Sequence, residues 1–342
     1  MILVWRACGH AQNEPMKAIV YDRYGPPEVL HIEEVERPVP KDDELLVRVR
    51  ATAVTRADCA TREANRRSGL AIQLISRMVS GMRLPRQRIL GLDFAGEVES
   101  VGASVKTFAV GDRIFGSTGF SFGAHAEYLT IPASGRVAPM PAGVSFEEAA
   151  SLTDGGLNAL WSLKQAHLRS GESVLVYGAS GAIGTAGVQL AKHFGARVTG
   201  ACSARNTETV RSLGADEVLD YTRGDFTRNR ETYDVIFDAV GKLTFNGCKV
   251  ALNPDGRYLA TDGLQNVLLT QWTARFGDKK AIFKIPPRTT QQDVDFLGDL
   301  VEEGKYRAVI DRTYPMDEVV DATRYVETEH KTGNVILTIT GS

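Results

Sequence analysis

Cysteine is scarce: four residues in 342, at Cys8, Cys59, Cys202 and Cys248. They stand far apart, with no CxxC pair and no histidine cluster beside them. That spacing excludes a disulfide framework and a cysteine-rich zinc site, and it reads as the reduced thiols of a cytoplasmic protein. Long apolar runs are missing as well; none approaches the ~20 residues of a membrane-spanning helix. Nor is there a surplus of one charge. A net charge of −2 gives no general attraction for nucleic acid or an anionic membrane, so no nucleic-acid partner is expected. Residues 1–15 lack the long apolar core and cleavage site of a secretory signal. They are read as an appendage, because strand-like patterning begins at Met16. No internal repeat or low-complexity tract appears, and the length implies two domains.

What is present is organised around Ser173-Val-Leu-Val-Tyr-Gly-Ala-Ser-Gly-Ala-Ile-Gly184. Val174, Leu175 and Val176 read as a buried parallel strand. Ile183, Ala186, Leu190, Ala191 and Phe194 recur at the spacing of one helix face. Between strand and helix, Gly181 and Gly184 let the backbone turn sharply and approach a pyrophosphate, which the helix N-terminus favours through its free N–H groups and dipole. Ser180, Gly181, Ala182, Ile183 and Gly184 are therefore cofactor-binding candidates. The following strand, at 196–201, makes this a βαβ context and not an isolated glycine-rich turn.

The rest of the chain divides around that unit. From Met16 to Pro141, short β runs broken by Gly25-Pro-Pro27 and Gly111-Asp112 imply a small barrel-like β domain. Residues 62–88 interrupt it with seven arginines and one acid among Leu70, Leu74, Met78 and Met82. Their spacing predicts a basic amphipathic helix: a solvated surface element, a lid over a substrate pocket, or a contact with a membrane or an acidic partner. From Ala142 onward strands alternate with helices, the signature of a doubly wound parallel sheet whose last strand is Lys280–Ile285. A helix at 293–303 and strands at 308–314 and 334–340 then return to the first domain. The expected boundaries are 1–15, 16–141, 142–285 and 286–342.

The phrases Gly25-Pro-Pro-Glu-Val-Leu, Gly91-Leu-Asp-Phe-Ala-Gly-Glu-Val, Val110-Gly-Asp-Arg-Ile, His125-Ala-Glu-Tyr, Gly178-Ala-Ser-Gly-Ala-Ile-Gly and Leu213-Gly-Ala-Asp resemble the medium-chain dehydrogenase/reductase superfamily, and within it the quinone oxidoreductase branch. The resemblance spans nearly all of 16–342. It implies an α/β fold in which a GroES-like catalytic domain stands beside a Rossmann domain. Zinc-dependent relatives need cysteine, histidine or glutamate around a tetrahedral site. Here their Gly-His-Glu phrase stands as Gly91-Leu92-Asp93, their early cysteine position is Thr55, and the structural site's four-cysteine run is absent. Asp154 lies near a further ligand position, but one carboxylate cannot hold zinc. No metal site is expected, and alcohol dehydrogenation is not expected either.

Cofactor preference follows from the end of the second Rossmann strand. It carries Cys202-Ser203-Ala204-Arg205-Asn206 where an NAD enzyme usually has an acid. Ser203, Arg205 and Asn206 can donate to a 2′-phosphate, and Tyr221 matches a tyrosine near that phosphate in similar NADPH reductases. NADPH is the expected cofactor. Val240, Thr261, Phe283, Ile285 and Asn334 match the family's contacts at the nicotinamide end. Catalytic candidates are Thr55, where metal-free relatives often place an asparagine; Asp58, which can instead order its own turn; and Tyr128, a proton donor or a packing residue. His125 has a solvent-facing role open to it as readily as a chemical one. The resemblance implies hydride transfer from NADPH to quinones or α,β-unsaturated carbonyls, by a homodimer paired through Lys280–Ile285. An aldehyde or ketone reductase, and an NADPH-bound partner- or RNA-binding protein, are the alternatives.

Overall fold

The computed structural model describes residues 15–66, 70–263, 265–283 and 287–339. Cys8 and Ile285 lie outside the described residues. β1 (Pro15–Val20) and β2 (His31–Glu36) form an antiparallel ribbon. β3 (Glu44–Ala53) leads into α1 (Arg56–Arg62) and α2 (Leu70–Ser80). β4 (Asp93–Val101), β5 (Arg113–Ser117), β6 (Tyr128–Pro132) and β7 (Val137–Pro139) complete the N-terminal strands. Two helices, α3 (Phe146–Ala150) and α4 (Thr153–Gln165), then carry the chain across to the alternating half.

That half opens with β8 (Ser173–Tyr177), α5 (Ala182–His193), β9 (Arg197–Cys202), α6 (Thr207–Ser212) and β10 (Glu217–Asp220). It continues through β11 (Tyr233–Asp238), α7 (Phe245–Cys248), β12 (Leu252–Ala260), α8 (Gln265–Arg275) and β13 (Lys280–Ile282). The return comprises α9 (Gln291–Glu302), β14 (Ile310–Pro315), α10 (Val319–Glu327) and β15 (Asn334–Thr338).

Strands β8 to β13 make one parallel sheet in the order β10-β9-β8-β11-β12-β13. Val174, Leu175 and Val176 at its centre are wholly buried, because helices cover both faces of a parallel sheet. Each such side chain contributes about 1.5–3 kcal/mol by leaving water. The second sheet runs β14-β15-β3-β4-β5-β7, with β6 also paired to β3. The last strand of the chain thus sits beside an early one, with Ile336 opposite Ala53. Val319, Ala322 and Val326 of α10 pack with Val335 and Leu337 into the same apolar cluster as Ile19 and Leu45.

Several helices escaped the sequence reading. α4 carries Gly155 and Gly156, poor helix formers, yet packing decides otherwise. A β-carbon on Gly155 would lie 2.2 Å from the carbonyl oxygen of Ala182, the first residue of α5. Glycine is what lets the two helices come that close. The expected helix running through Val250 is instead α7 followed by one 3-10 turn at Lys249–Ala251. The expected edge strand Lys280–Ile285 ends already at Ile282, before Phe283, and pairs in parallel with β12.

The α4–α5 contact yields a first prediction. Gly155→Ala should destabilise the protein by about 1–3 kcal/mol, read as a lowered midpoint in urea unfolding. An unchanged midpoint would mean that the two helices tolerate separation.

Candidate functional site

The parallel sheet reverses its strand order between β8 and β11, and the loops leaving those strands open a crevice there. α1, the start of α4 and residues 326–331 wall the other side. Together they enclose a cleft of about 470 Å³ whose lining includes Arg56, Cys59, Asp154, Gly181, Ile183, Val240, Thr261 and Lys331.

The glycine-rich turn supplies one wall. Gly178 adopts φ +77°, and a β-carbon there would meet the Val240 side chain at 2.5 Å. A β-carbon on Gly184 would lie 2.1 Å from the Gly178 carbonyl oxygen, so helix and strand meet backbone to backbone. Between them, Gly181 is the N-cap of α5 and gives it no side-chain cap. Thr55, Ser145 and Thr244 do cap α1, α3 and α7. A β-carbon on Gly181 would find only the Gly178 oxygen, at 3.6 Å. Uncapped N–H groups at the positive end of a twelve-residue helix therefore face open space, which fits the pyrophosphate of a dinucleotide. Ser180 contributes its carbonyl, which accepts from Gly333 N at 2.7 Å.

The second corner is more crowded than its sequence suggests. Arg205 is exposed, and its guanidinium donates to the carbonyl oxygen of His330. Asn206 is buried and accepts from the Thr332 hydroxyl at 3.0 Å. Ser203 caps the short turn at Ala204–Asn206 by position only. Tyr221 is half exposed, its ring 5.8 Å from that of Tyr177. This corner is not free of acid: Asp220, one strand over, accepts from Thr222 N and Oγ1 at 3.0 and 2.7 Å. Those hydrogen bonds, with a further one from the Ala204 backbone, hold its carboxyl below the usual range.

At the other end of the cleft, Val240 lies over the glycine turn and Thr261 donates to the Asp238 carbonyl at 2.8 Å. Phe283 is buried, its N–H on Thr270 Oγ1 at 2.9 Å. Asn334 is buried too, and its side-chain amide donates to the Val309 carbonyl at 3.2 Å. Phe283 and Asn334 are not among the cleft-lining residues.

The catalytic candidates separate. Thr55 is the N-cap of α1, and Asp58 closes a capping box with it: Thr55 Oγ1 donates to Asp58 Oδ2 at 2.7 Å and Asp58 N donates back at 3.2 Å. Asp58 Oδ1 also accepts from Gly91 N at 2.9 Å. Both of its carboxylate oxygens are engaged in bonds that serve the fold. Tyr128 does not reach the cleft. It lies on β6 beneath the Arg37 guanidinium, 3.8 Å from its ring centre, and packs on the Met16–Ala18 cluster. His125 is buried, not solvent-facing; its Nε2 lies 3.0 Å from the Ala53 carbonyl, and its ring fills the space that a β-carbon on Gly91 would need.

The sequence reading missed most of the cleft's charge. Glu329 joins Arg56 of α1 at 3.1 Å to Lys242 of the β11 loop at 2.8 Å. Lys331 donates to the Gly333 carbonyl; burial lowers its pKa, opposed by the nearby Asp154 and Asp311. No local motif marks Glu329 or Lys331, because the return that delivers them is some 270 residues from α1 in sequence. Asp93 is buried, its Oδ1 accepting from Thr153 Oγ1 at 2.8 Å and its Oδ2 without a partner among the described residues. Burial, with the charge of Asp154, pushes its carboxyl well above the ordinary range.

This environment does not fit a tetrahedral zinc. Thr55 is bound up with Asp58, and Asp93 with Thr153. Cys59 is buried, its thiol pushed up to about 12, which opposes the thiolate that zinc requires. Among the described residues, three ligand-type groups converge at Asp22, His31 and Glu33. None of the three lines the cleft, and Arg88 already pairs with both carboxylates.

The raised Asp93 carboxyl has a pH signature. Folding favours its protonated form, so its contribution is fully present below the ordinary carboxylate pKa and is lost as pH rises through the raised value. Asp93→Asn keeps an acceptor for Thr153 and cannot ionise. Its melting temperature should exceed the wild type's at about pH 8 and converge on it near about pH 4. A constant difference across that range would contradict the assignment.

Residues 41–142 match the family described as alcohol dehydrogenase GroES-like domain, and residues 213–337 match that described as zinc-binding dehydrogenase. The chain is 32% identical to the NADPH-dependent alkenal/one oxidoreductase, chloroplastic, of Arabidopsis thaliana, covering 94% of this chain and 79% of that protein. It is 30% identical to the chloroplast envelope quinone oxidoreductase homolog of the same organism, over 94% of this chain and 98% of that one. The solved quinone oxidoreductase from Coxiella burnetii superposes with a TM-score of 0.83 at 28% identity, over 96% of this chain and 100% of that structure. With a GroES-like half, a doubly wound half and the cleft between them, the chain belongs to the medium-chain dehydrogenase/reductase superfamily, in its quinone oxidoreductase branch.

Proposed function

We propose that the protein is an NADPH-dependent, zinc-independent oxidoreductase that reduces quinones or α,β-unsaturated carbonyls. The observation that carries this reading is the uncapped start of α5, opening on a cleft shared with α1 and the C-terminal return. NADPH, when bound, supplies the hydride. The chain supplies the rest: N–H groups of residues 182 and 183 for the pyrophosphate, and Arg205 for a 2′-phosphate if it leaves the His330 carbonyl. Walls from two domains hold the acceptor in place and keep water out. Asp154 and Lys331 are among the titratable groups that line this space, with Lys242, Asp262 and Glu329. The names of relatives support both the cofactor and the electron-poor acceptor. Buried, unpaired Cys59, Cys202 and Cys248 fit a reducing compartment such as the cytoplasm.

Purified protein should oxidise NADPH with quinones and enones equally well with and without a chelator, and enones should yield the saturated ketone. Gly181→Ala gives a sharper test, since its φ of −78° suits alanine and little crowds the site. Its melting temperature should stay near wild type while the KM for NADPH rises roughly tenfold. Activity that needs added zinc, or allylic alcohol as the product, would overturn the reading.

A homodimer belongs to the same proposal. β13 is the edge of the parallel sheet, and beside it α8 exposes Leu268, Trp272 and Phe276, with the last two rings 4.6 Å apart. A free edge next to an apolar face suits pairing with a second copy. Light scattering should give twice the chain mass, and Trp272→Asp should shift it toward the monomer.

A further inference from the structure

The arginine-rich insertion remains unaccounted for by hydride transfer. Residues 64–92 contain six arginines and no acidic residue. α2 and the turn after it are anchored on the protein body. Tyr24 Oη donates to the Gly81 carbonyl at 2.9 Å and Asn65 Nδ2 to Ser76 Oγ at 2.9 Å, while within the turn Arg86 N folds back on the Ser80 carbonyl at 2.8 Å. The anchored side accounts for Arg77, whose guanidinium lies over the Tyr24 ring. The opposite side is left bare: Leu74, Met78, Met82 and Leu84 are 53, 61, 54 and 65% exposed. Arg83 and Arg86 stand exposed among them and make no ion pair among the described residues. Asn65, bonded to α2, also lines the cleft, so the anchored side of α2 rests on a residue of the cleft wall.

We infer that the ridge formed by α2 and residues 81–86 docks on an anionic lipid surface. Aliphatic side chains interleaved with arginine suit the boundary between headgroups and acyl chains, where methionine and leucine enter and guanidinium groups hold phosphates. The ridge has no tryptophan or tyrosine anchor of the kind that dominates protein interfaces. No helix among the described residues is long and apolar enough to cross a membrane, so the contact is peripheral. The inference is independent of the catalytic reading, since lipid binding is read with no substrate present.

The full chain should co-sediment with phosphatidylcholine vesicles containing about 30 mol% phosphatidylserine, but not with phosphatidylcholine alone, and added salt should release it. Arg83→Glu with Arg86→Glu, and separately Met78→Asp with Met82→Asp, should each weaken apparent binding by roughly tenfold or more. Both double variants should retain the wild-type circular dichroism spectrum and turnover of a water-soluble quinone. Absence of binding to anionic vesicles would overturn the inference, as would equal binding by the variants. Loss of binding with the arginine variant alone would overturn it too, because the ridge would then be a site for soluble polyanions.

Discussion

The start of α5 fixes the rest of the molecule. Two backbone contacts meet there: Gly184 against the Gly178 carbonyl, and Gly155 of α4 against the Ala182 carbonyl. Each requires the absence of a β-carbon. Together they hold a helix terminus rigidly at the end of the central strand while keeping side chains away from its free N–H groups. An anion site built from backbone needs this rigidity, since flexible side chains would lose entropy on binding. The stability of the sheet and the shape of this backbone cradle therefore depend on the same few atoms.

The C-terminal return gives that cradle its other half. Gly333 bonds the Ser180 carbonyl, Arg205 bonds the His330 carbonyl, and Thr332 bonds Asn206. Glu329 adds ion pairs to α1 on one side and to the β11 loop on the other. These pairs are partly exposed, so each contributes little to stability. Their consequence is geometric: three stretches remote in sequence keep one spacing across the cleft.

The parts of this site that the sequence made legible are those written in one short stretch. The strand, turn and helix at 173–194 could be read because hydrophobic periodicity and glycine placement are local signals. Thr55 and Asp58 stood out as separate catalytic candidates, and whether Asp58 serves chemistry or its own turn could not be told without Gly91 in view. The helix at Thr153–Gln165 stayed hidden, since two glycines argue against a helix until its neighbour is known. Tyr128 and His125 depended on which strand face met which partner, information that a run of alternating residues does not carry. The Asp220 carboxylate reached the corner beside Ser203 through strand pairing alone.

A hydroxyl, a capping carboxylate and a buried acid near the start of α1 are all committed to hydrogen bonds within the fold. Thr55 and Asp58 secure the start of α1, while Asp93 and Thr153 tie β4 to α4. Such bonds stiffen the wall that a Lewis acid would otherwise need to approach. An alcohol gives up hydride only when its oxygen is activated, whereas a quinone or enone already carries the electron deficiency that draws hydride in. A cleft of this kind can therefore work by orientation and exclusion of water. Its demands fall on shape, and shape is what the glycine contacts and the ion-paired return supply.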